Sequence, residues 1–315
     1  MYVLIHPDND FAVTLKSNSY IKKWDIRSDI PIEIQCVPIA YPVYNPDCNC
    51  DSIVTVHMRS KIAQRDNCLL NIYSWDDLKL IAQNEITDLK NELFWFQSLS
   101  ISQDGKTIAL ASFNECLAFI NQSDFKCKKV IDGGEWTSGL VFDNNSKYIA
   151  AAHTFQGGGY ISIYENFDED IQVLHESLFR NPELGDFSDS VAKMAFTSNG
   201  KYLVVCEVSV NGTGYDDKGK LILYETFTGK LVWAVDLKSD GEENVYPDIL
   251  IGSNDNLILC GMGRGKIYCY QLTNGNHIGT YNTGYNNAVQ SFGIDRKRNR
   301  LWLVNEDESL IYIPV

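Results

Sequence analysis

An all-β fold is predicted for this chain by three observations: one turn-and-strand pattern written seven times, four short strands to each copy, and almost no helical periodicity between them. The copies read HPDNDFAVTL from His6, NPDCNCDSIVTVHM from Asn45, SQDGKTIALAS from Ser102, DNNSKYIAAAH from Asp143, TSNGKYLVVCE from Thr197, GSNDNLILCG from Gly252 and DRKRNRLWLVN from Asp295. In each, a polar run with a turn residue leads into an alternating apolar strand. Their spacing varies from 39 to 57 residues, so loops of differing length sit on one recurring block.

The other strands of each unit follow from the same reading. A third strand comes next, as YIKKWDI, LLNIYSW, CLAFINQ, YISIYEN, KLILYET, KIYCYQL and SLIYIPV. Most continue through a turn into a fourth, as in ETFTGKLVWAVDL and LTNGNHIGTY, and segments such as WFQSLSI, WTSGLVF and VAKMAFT supply a first strand before the turn. Within the Ser102 copy, Gln103-Asp104-Gly105 makes the reversal, and Ile108 and Leu110 alternate with Ala109 and Ala111 between two sheet faces. The expectation is one domain over residues 1–315, a seven-bladed β-propeller of four-stranded antiparallel blades, divided near 1–38, 39–87, 88–132, 133–178, 188–238, 244–282 and 287–315. The seventh unit stops at a third strand, which leaves the edge at Leu310 to Ile313 open to a partner strand or covered by a loop.

Composition narrows the function. The chain is 44% hydrophobic and 22% charged, and 27 basic against 41 acidic residues give a formal charge of −14. Such a surface repels phosphate backbones and anionic lipid, so neither nucleic acid nor a membrane is expected as a partner, while a protein with a basic patch is. No basic start with an apolar run opens the chain, and the nine cysteines, mostly in apolar runs, point to reduced thiols in the cytoplasm. No HExxH, GxSxG, paired CxxC or GxxxxGK[ST] occurs, so no cofactor or metal is expected. Cys48 and Cys50, flanked by Asp47 and Asp51, come nearest to a metal cluster but lack a second half.

The unit SQDGKTIALAS followed by CLAFIN, and more fully TSNGKYLVVCE followed by KLILYETFTGKLVW, resembles the blades of WD-repeat and YVTN-type propellers over essentially the whole chain. Trp24-Asp25 spells the Trp-Asp pair, Tyr164-Glu165 and Tyr224-Glu225 stand in equivalent places, and no Gly-His pair begins a blade. The resemblance implies a non-catalytic platform for protein–protein interaction. Its YVTN-like branch implies an alternative, a lactonase-like small-molecule hydrolase using Glu207, His57 and His153, with a metal.

Candidate contacts lie where the repeats differ. Aligned by alternation, the second strands bring Lys16, His57, Ser112, His153, Glu207, Gly261 and Asn305 to one strand-exit position, a polar rim in a closed ring. Phe94, Trp95, Phe96, Trp136, Phe187, Tyr246 and Tyr285 enter the first strands on the same rim, and Tyr160 and Tyr215 stand in glycine-rich loops beside it. Aromatic residues there are candidate partner anchors, or else packing between blades.

Overall fold

The computed structural model describes residues 1–39, 43–59, 67–86, 96–112, 116–132, 136–155, 158–167, 170–178, 189–211, 214–237, 248–252, 254–262, 265–284, 291–304 and 308–314. Among them every regular element is a strand. Blade one holds β1 (Tyr2–Ile5), β2 (Phe11–Lys16), β3 (Tyr20–Asp25) and β4 (Ile32–Pro38). Blade two holds β5 (Val43–Cys48), β6 (Ser52–Arg59), β7 (Asn67–Ser74) and β8 (Leu80–Ile86), and blade three β9 (Phe96–Ile101), β10 (Thr107–Ser112), β11 (Cys116–Asn121) and β12 (Cys127–Asp132). Blade four has β13 (Trp136–Phe142), β14 (Tyr148–Phe155), β15 (Gly158–Phe167) and β16 (Asp170–Leu178), and blade five β17 (Asp189–Phe196), β18 (Tyr202–Asn211), β19 (Gly214–Glu225) and β20 (Leu231–Asp236). Blade six has β21 (Asp248–Ile251), β22 (Leu257–Met262), β23 (Lys266–Gln271) and β24 (His277–Asn282), and blade seven β25 (Phe292–Asp295), β26 (Arg300–Val304) and β27 (Leu310–Pro314).

Strands lie in chain order within each sheet, four in blades one to six and three in blade seven. The innermost strands adjoin one another in turn, and β25 adjoins β1, which closes the ring. The predicted propeller is therefore the observed fold. Turns between first and second and between third and fourth strands fall on one end of the ring, here called the turn face.

In five copies of the repeated polar turn the carbonyl of the first residue, His6, Ser102, Asp143, Thr197 or Gly252, accepts the N–H of the fourth. Where the first residue of such a turn carries a hydroxyl or carboxylate, that group also takes N–H groups further on: Asp143 Oδ1 from Lys147 and Tyr148 at 2.7 Å each, Ser102 Oγ from Lys106 at 3.2 Å and Thr107 at 2.9 Å, and Thr197 Oγ1 from Tyr202 at 3.0 Å. The fourth residue adopts a left-handed backbone, with φ between 50° and 69° at Asn9, Gly105, Ser146, Gly200 and Asp255. Where that residue has a side chain, it grips the turn of the preceding blade. Asn9 Oδ1 accepts from the Arg296 N–H (2.9 Å), Ser146 Oγ from the Asp104 N–H (3.0 Å) and the Asp255 carboxylate from the Ser198 N–H (2.9 Å). Where it is glycine, the preceding turn closes on the backbone instead, and a Cβ on Gly200 would stand 2.9 Å from Asp143 Oδ2. Gly200→Ala is therefore expected to lose about 1–2 kcal/mol from left-handed strain alone and more from the clash, measurable by urea denaturation.

Apolar side chains gather between blades rather than at the centre. Seven clusters of described residues each straddle one neighbouring pair, from Val13, Leu15 and Ile21 against Val43 and Ile53 round to Trp302 and Leu310 against Val3, Ala12 and Trp24. The alternation read in the Ser102 copy is realised: Ile108 and Leu110 pack toward blade two, while Ala109 and Ala111 pack toward Ile149 and Tyr164 of blade four. Small residues face large ones, which lets flat sheets interlock at interior density.

The closing seam between blades seven and one differs from the rest. Among the described residues, every ion pair that joins two blades lies there: Arg298 to Asp10 (2.7 Å), Lys297 to Asp10 (3.4 Å), Lys16 to Glu308 and Arg300 to Asp29. Arg298 also holds the buried Asp295 at 3.0 Å, and Tyr20 donates its hydroxyl to Glu308 at 2.5 Å.

Candidate functional site

Around the central channel, side-chain oxygens of one inner strand accept backbone N–H groups of the next. Asp47 of β5 takes the Ile101 N–H (2.9 Å) and the Ser100 hydroxyl (3.0 Å) of β9. Ser98 and Ser100 take the Leu140 and Phe142 N–H groups of β13 at 3.1 and 3.2 Å. Asp248 takes the Phe292 N–H of β25 at 3.3 Å, and Ser291 takes the Val3 N–H of β1 at 3.0 Å. Burial pushes the Asp47 and Asp248 carboxyls above the ordinary range, while their N–H donors and the charge of Lys193 on β17 draw them back. These acids are committed acceptors that stitch blades together. Asp47 entered the sequence reading only as a flank of Cys48 and Asp248 not at all, although Asp248 opens an otherwise apolar first strand, DILI.

Of the candidate contacts His57, His153, Glu207, Tyr160, Trp95, Phe96, Trp136, Tyr215, Tyr246 and Tyr285, the first four have described side chains. His57 on β6 is buried, with Nε2 2.8 Å from Thr55 Oγ1. His153 on β14 is 1% exposed, has Nδ1 3.1 Å from Thr137 Oγ1 and stacks on the ring of Tyr160 at 4.5 Å. Its Nε2 has no hydrogen-bond partner, and burial pulls the imidazole down to about 4, so it is neutral at neutral pH. Glu207, on β18, is half-buried, as is Tyr160 on β15. The structure thus joins His153 to Tyr160 and sets His57 in another blade. Phe96, Trp136 and Tyr215 belong to strands β9, β13 and β19, but their side chains, like all of Trp95, Tyr246 and Tyr285, lie outside the described residues.

The turn face offers a groove of about 470 Å³ between blades one and two. It is lined by His6, Phe11 and Trp75 and by the carboxylates Asp8, Asp10, Asp51 and Asp76, with Lys23 as the one ammonium in its lining. His6 accepts the Asp8 N–H at Nδ1 (3.1 Å), so its Nε2 carries the proton donated to the Cys50 carbonyl (3.1 Å). The ring meets Trp75 edge-on at 4.9 Å. Lys23 is buried with Nζ 4.3 Å from the Phe11 ring and 3.0 Å from the Asp76 carbonyl, and desolvation pulls its ammonium down against the charges of Asp76 and Asp77. Asp10 is already engaged by Arg298 and Lys297, and Asp8, Asp51 and Asp76 against the one ammonium of Lys23 leave the groove acidic.

Beside it the outer wall is apolar. Of nine large apolar side chains exposed among the described residues, five belong to blades one and two: Ile30 (76% exposed), Ile32, Ile34, Leu80 and Ile81 (60%). Their blades touch through Gln35, which donates to the Asp77 carbonyl. Among the described residues no group of three or more His, Cys, Asp or Glu is placed to hold a metal ion. Burial also pushes both the Cys48 and the Cys50 thiols up, the first well above its ordinary value, which disfavours thiolate ligands.

No family model matches the chain, and no curated protein matches it. Among solved structures, one titled hydrazine synthase, from Kuenenia stuttgartiensis, superposes on all of this chain and 95% of its own with a TM-score of 0.74 at 11% identity. A likeness at that identity shows the fold alone.

Proposed function

We propose that this chain is a non-catalytic, WD-like propeller that serves as a protein-interaction platform and takes a partner with a basic patch. The observation that carries the reading is the acidic groove between blades one and two beside five exposed aliphatic side chains, a pairing of charge and apolar area that a partner interface uses. A lysine or arginine of the partner suits the groove, where the carboxylates Asp8, Asp51 and Asp76 are exposed. Affinity co-purification with an Ile32→Asp, Ile81→Asp variant of unchanged melting temperature tests it. A protein retained by the wild type, lost by the variant and released as salt rises from about 0.05 to about 0.5 M is expected. The same proteins on both baits, or no salt effect, would overturn it.

The unpartnered Nε2 of His153 favours a second reading, the hydrolase with His57, His153 and Glu207 on a metal or small ligand. Stoichiometric divalent metal in the wild type and none in His153→Gln would support it.

A further inference from the structure

Of the seven copies of the repeated turn, one alone opens on histidine, as His6-Pro7-Asp8-Asn9. Three others open on a hydroxyl or carboxylate whose hydrogen bonds hold the turn. Here an imidazole does so, the side chain whose charge changes between about pH 5 and 8. The ring binds two turns at once. Nδ1 accepts the Asp8 N–H of its own turn at 3.1 Å, and Nε2 donates to the Cys50 carbonyl in the first turn of blade two at 3.1 Å. The His6 side chain is 13% exposed, so a solvent proton reaches it.

The titratable groups around the ring line one groove. Asp8 and Asp10 come from its own turn, Cys50 and Asp51 from the first turn of blade two, Asp76 from the second, and Lys23 from β3. Asp10 is held by Arg298 and Lys297, and Lys23 donates to the Asp76 carbonyl. The Asp8 carboxylate stands 3.8 Å from Nδ1 and is 82% exposed.

Nε2 already carries a proton, so a second one enters at Nδ1. There it meets the Asp8 N–H, donor against donor, and that hydrogen bond is lost. The Asp8 carboxylate is the acceptor at hand, and an imidazolium draws it in as a charge-assisted pair. The Nε2–H bond to blade two survives and strengthens, so the ring keeps its place while the turn beside it re-forms. Two effects on the groove share one sign: positive charge is added to its lining, and one of its three exposed carboxylates is taken up.

We propose that His6 gates the acidic groove by pH: proton uptake at Nδ1 draws the Asp8 carboxylate onto the ring and releases a cationic side chain of the partner. Neutral pH holds the partner and mild acid frees it. The inference rests on the interaction-platform reading and adds the regulation of its groove.

The test has two arms, both on residues 1–315. In the first, nuclear magnetic resonance follows the His6 ring nitrogens and the Asp8 amide of the protein alone from about pH 7.5 to about 5.5. The Asp8 amide is expected to shift in step with protonation at Nδ1. Its protection from hydrogen exchange is expected to fall about tenfold relative to the Asp104 amide, which Ser146 holds in another turn. In the second arm the probe is N-acetylated, C-amidated tetralysine at about 0.05 M salt, and binding is read at the amides of Asp51 and Asp76. Its affinity is expected to fall about fivefold between the two pH values for the wild type. For His6→Gln, which keeps every carboxylate of the groove, it is expected to be the same at both. An Asp8 amide that ignores protonation of the ring, a ring that stays neutral at about pH 5.5, or an equal fall for wild type and variant would overturn the proposal. A probe that does not bind at about pH 7.5 would overturn it as well, by removing the groove as a cation site, and would leave the apolar wall to the Ile32→Asp, Ile81→Asp experiment. The first arm needs no ligand, so the gate and the platform reading fail separately.

Discussion

Arg298→Ala is expected to lower stability by about 3 kcal/mol, the lower end of the range for removing one partner of a buried pair. Its guanidinium joins Asp10 of blade one to the fully buried Asp295 of blade seven and also donates to the Asn9 carbonyl. Removing it leaves Asp295 with the backbone N–H groups of Lys297 and residue 298 as its described donors and cuts the ring at its closure. The loss should be local. Hydrogen exchange in β1 and β25 rises before that in β13 and β17, whose interface rests on apolar packing among described residues. High salt should act in the same order, since it screens exposed pairs such as Lys297–Asp10 and leaves apolar contacts intact. Acid acts there too. The Asp10 carboxyl is held below its ordinary value by its hydrogen bond to Arg298, and that of Glu308 by Lys16 and then Tyr20. Carboxyls so depressed support the fold above their ordinary pKa and withdraw that support as pH falls through the lowered value, so this part of the seam weakens only below about pH 4. Uniform exchange across all seven interfaces in Arg298→Ala would contradict the assignment of the closure to these pairs.

The blade count was legible because the repeated turn is local chemistry. A polar tetrad whose fourth residue is able to adopt positive φ, led in three copies by a hydroxyl or carboxylate that bonds the turn, is visible as SQDG, DNNS, TSNG, HPDN and GSND, whatever surrounds it. The second task of the fourth residue was not legible. Asn9, Ser146 and Asp255 bind the previous blade's turn, a relation that exists only after the ring has brought residues about forty to three hundred apart together. The same holds for the acceptors Asp47, Ser98, Ser100, Asp248 and Ser291 of the channel. Position along a strand says which end a residue occupies, and the neighbouring blade decides what covers it. His57 and His153, aligned by alternation at polar strand exits, are both buried for that reason. The acidic groove could have been found from Asp8, Asp10, Asp51 and Asp76 in the turns of the first two blades, because turn residues of adjacent blades share one face.

Lowering the pH from 7 to about 4.5 is expected to remove about 2–3 kcal/mol of stability through His153 alone. Its imidazole, pulled from the ordinary 6.5 to about 4 by burial, prefers the neutral form in the folded chain. The unfolded chain binds a proton below 6.5 and the folded chain does not until about 4, so the stabilisation is complete above 6.5 and is lost as pH falls between those values. Asp47 and Asp248 titrate with the opposite sign. Carboxyls raised by burial are more comfortable protonated, so acid relieves them over the range from the ordinary value up to the raised one. The net acid profile is therefore a sum of opposed terms, and only a difference isolates the histidine. Urea denaturation of wild type and His153→Gln at pH 7 and 4.5 supplies that difference: the variant, which keeps a hydrogen-bonding group near Thr137 but cannot take up a proton, should lose less stability on acidification by the amount stated. Equal losses in both proteins would mean that His153 becomes protonated without unfolding, which requires a partner or water at Nε2 and would return weight to the ligand-binding alternative for this residue.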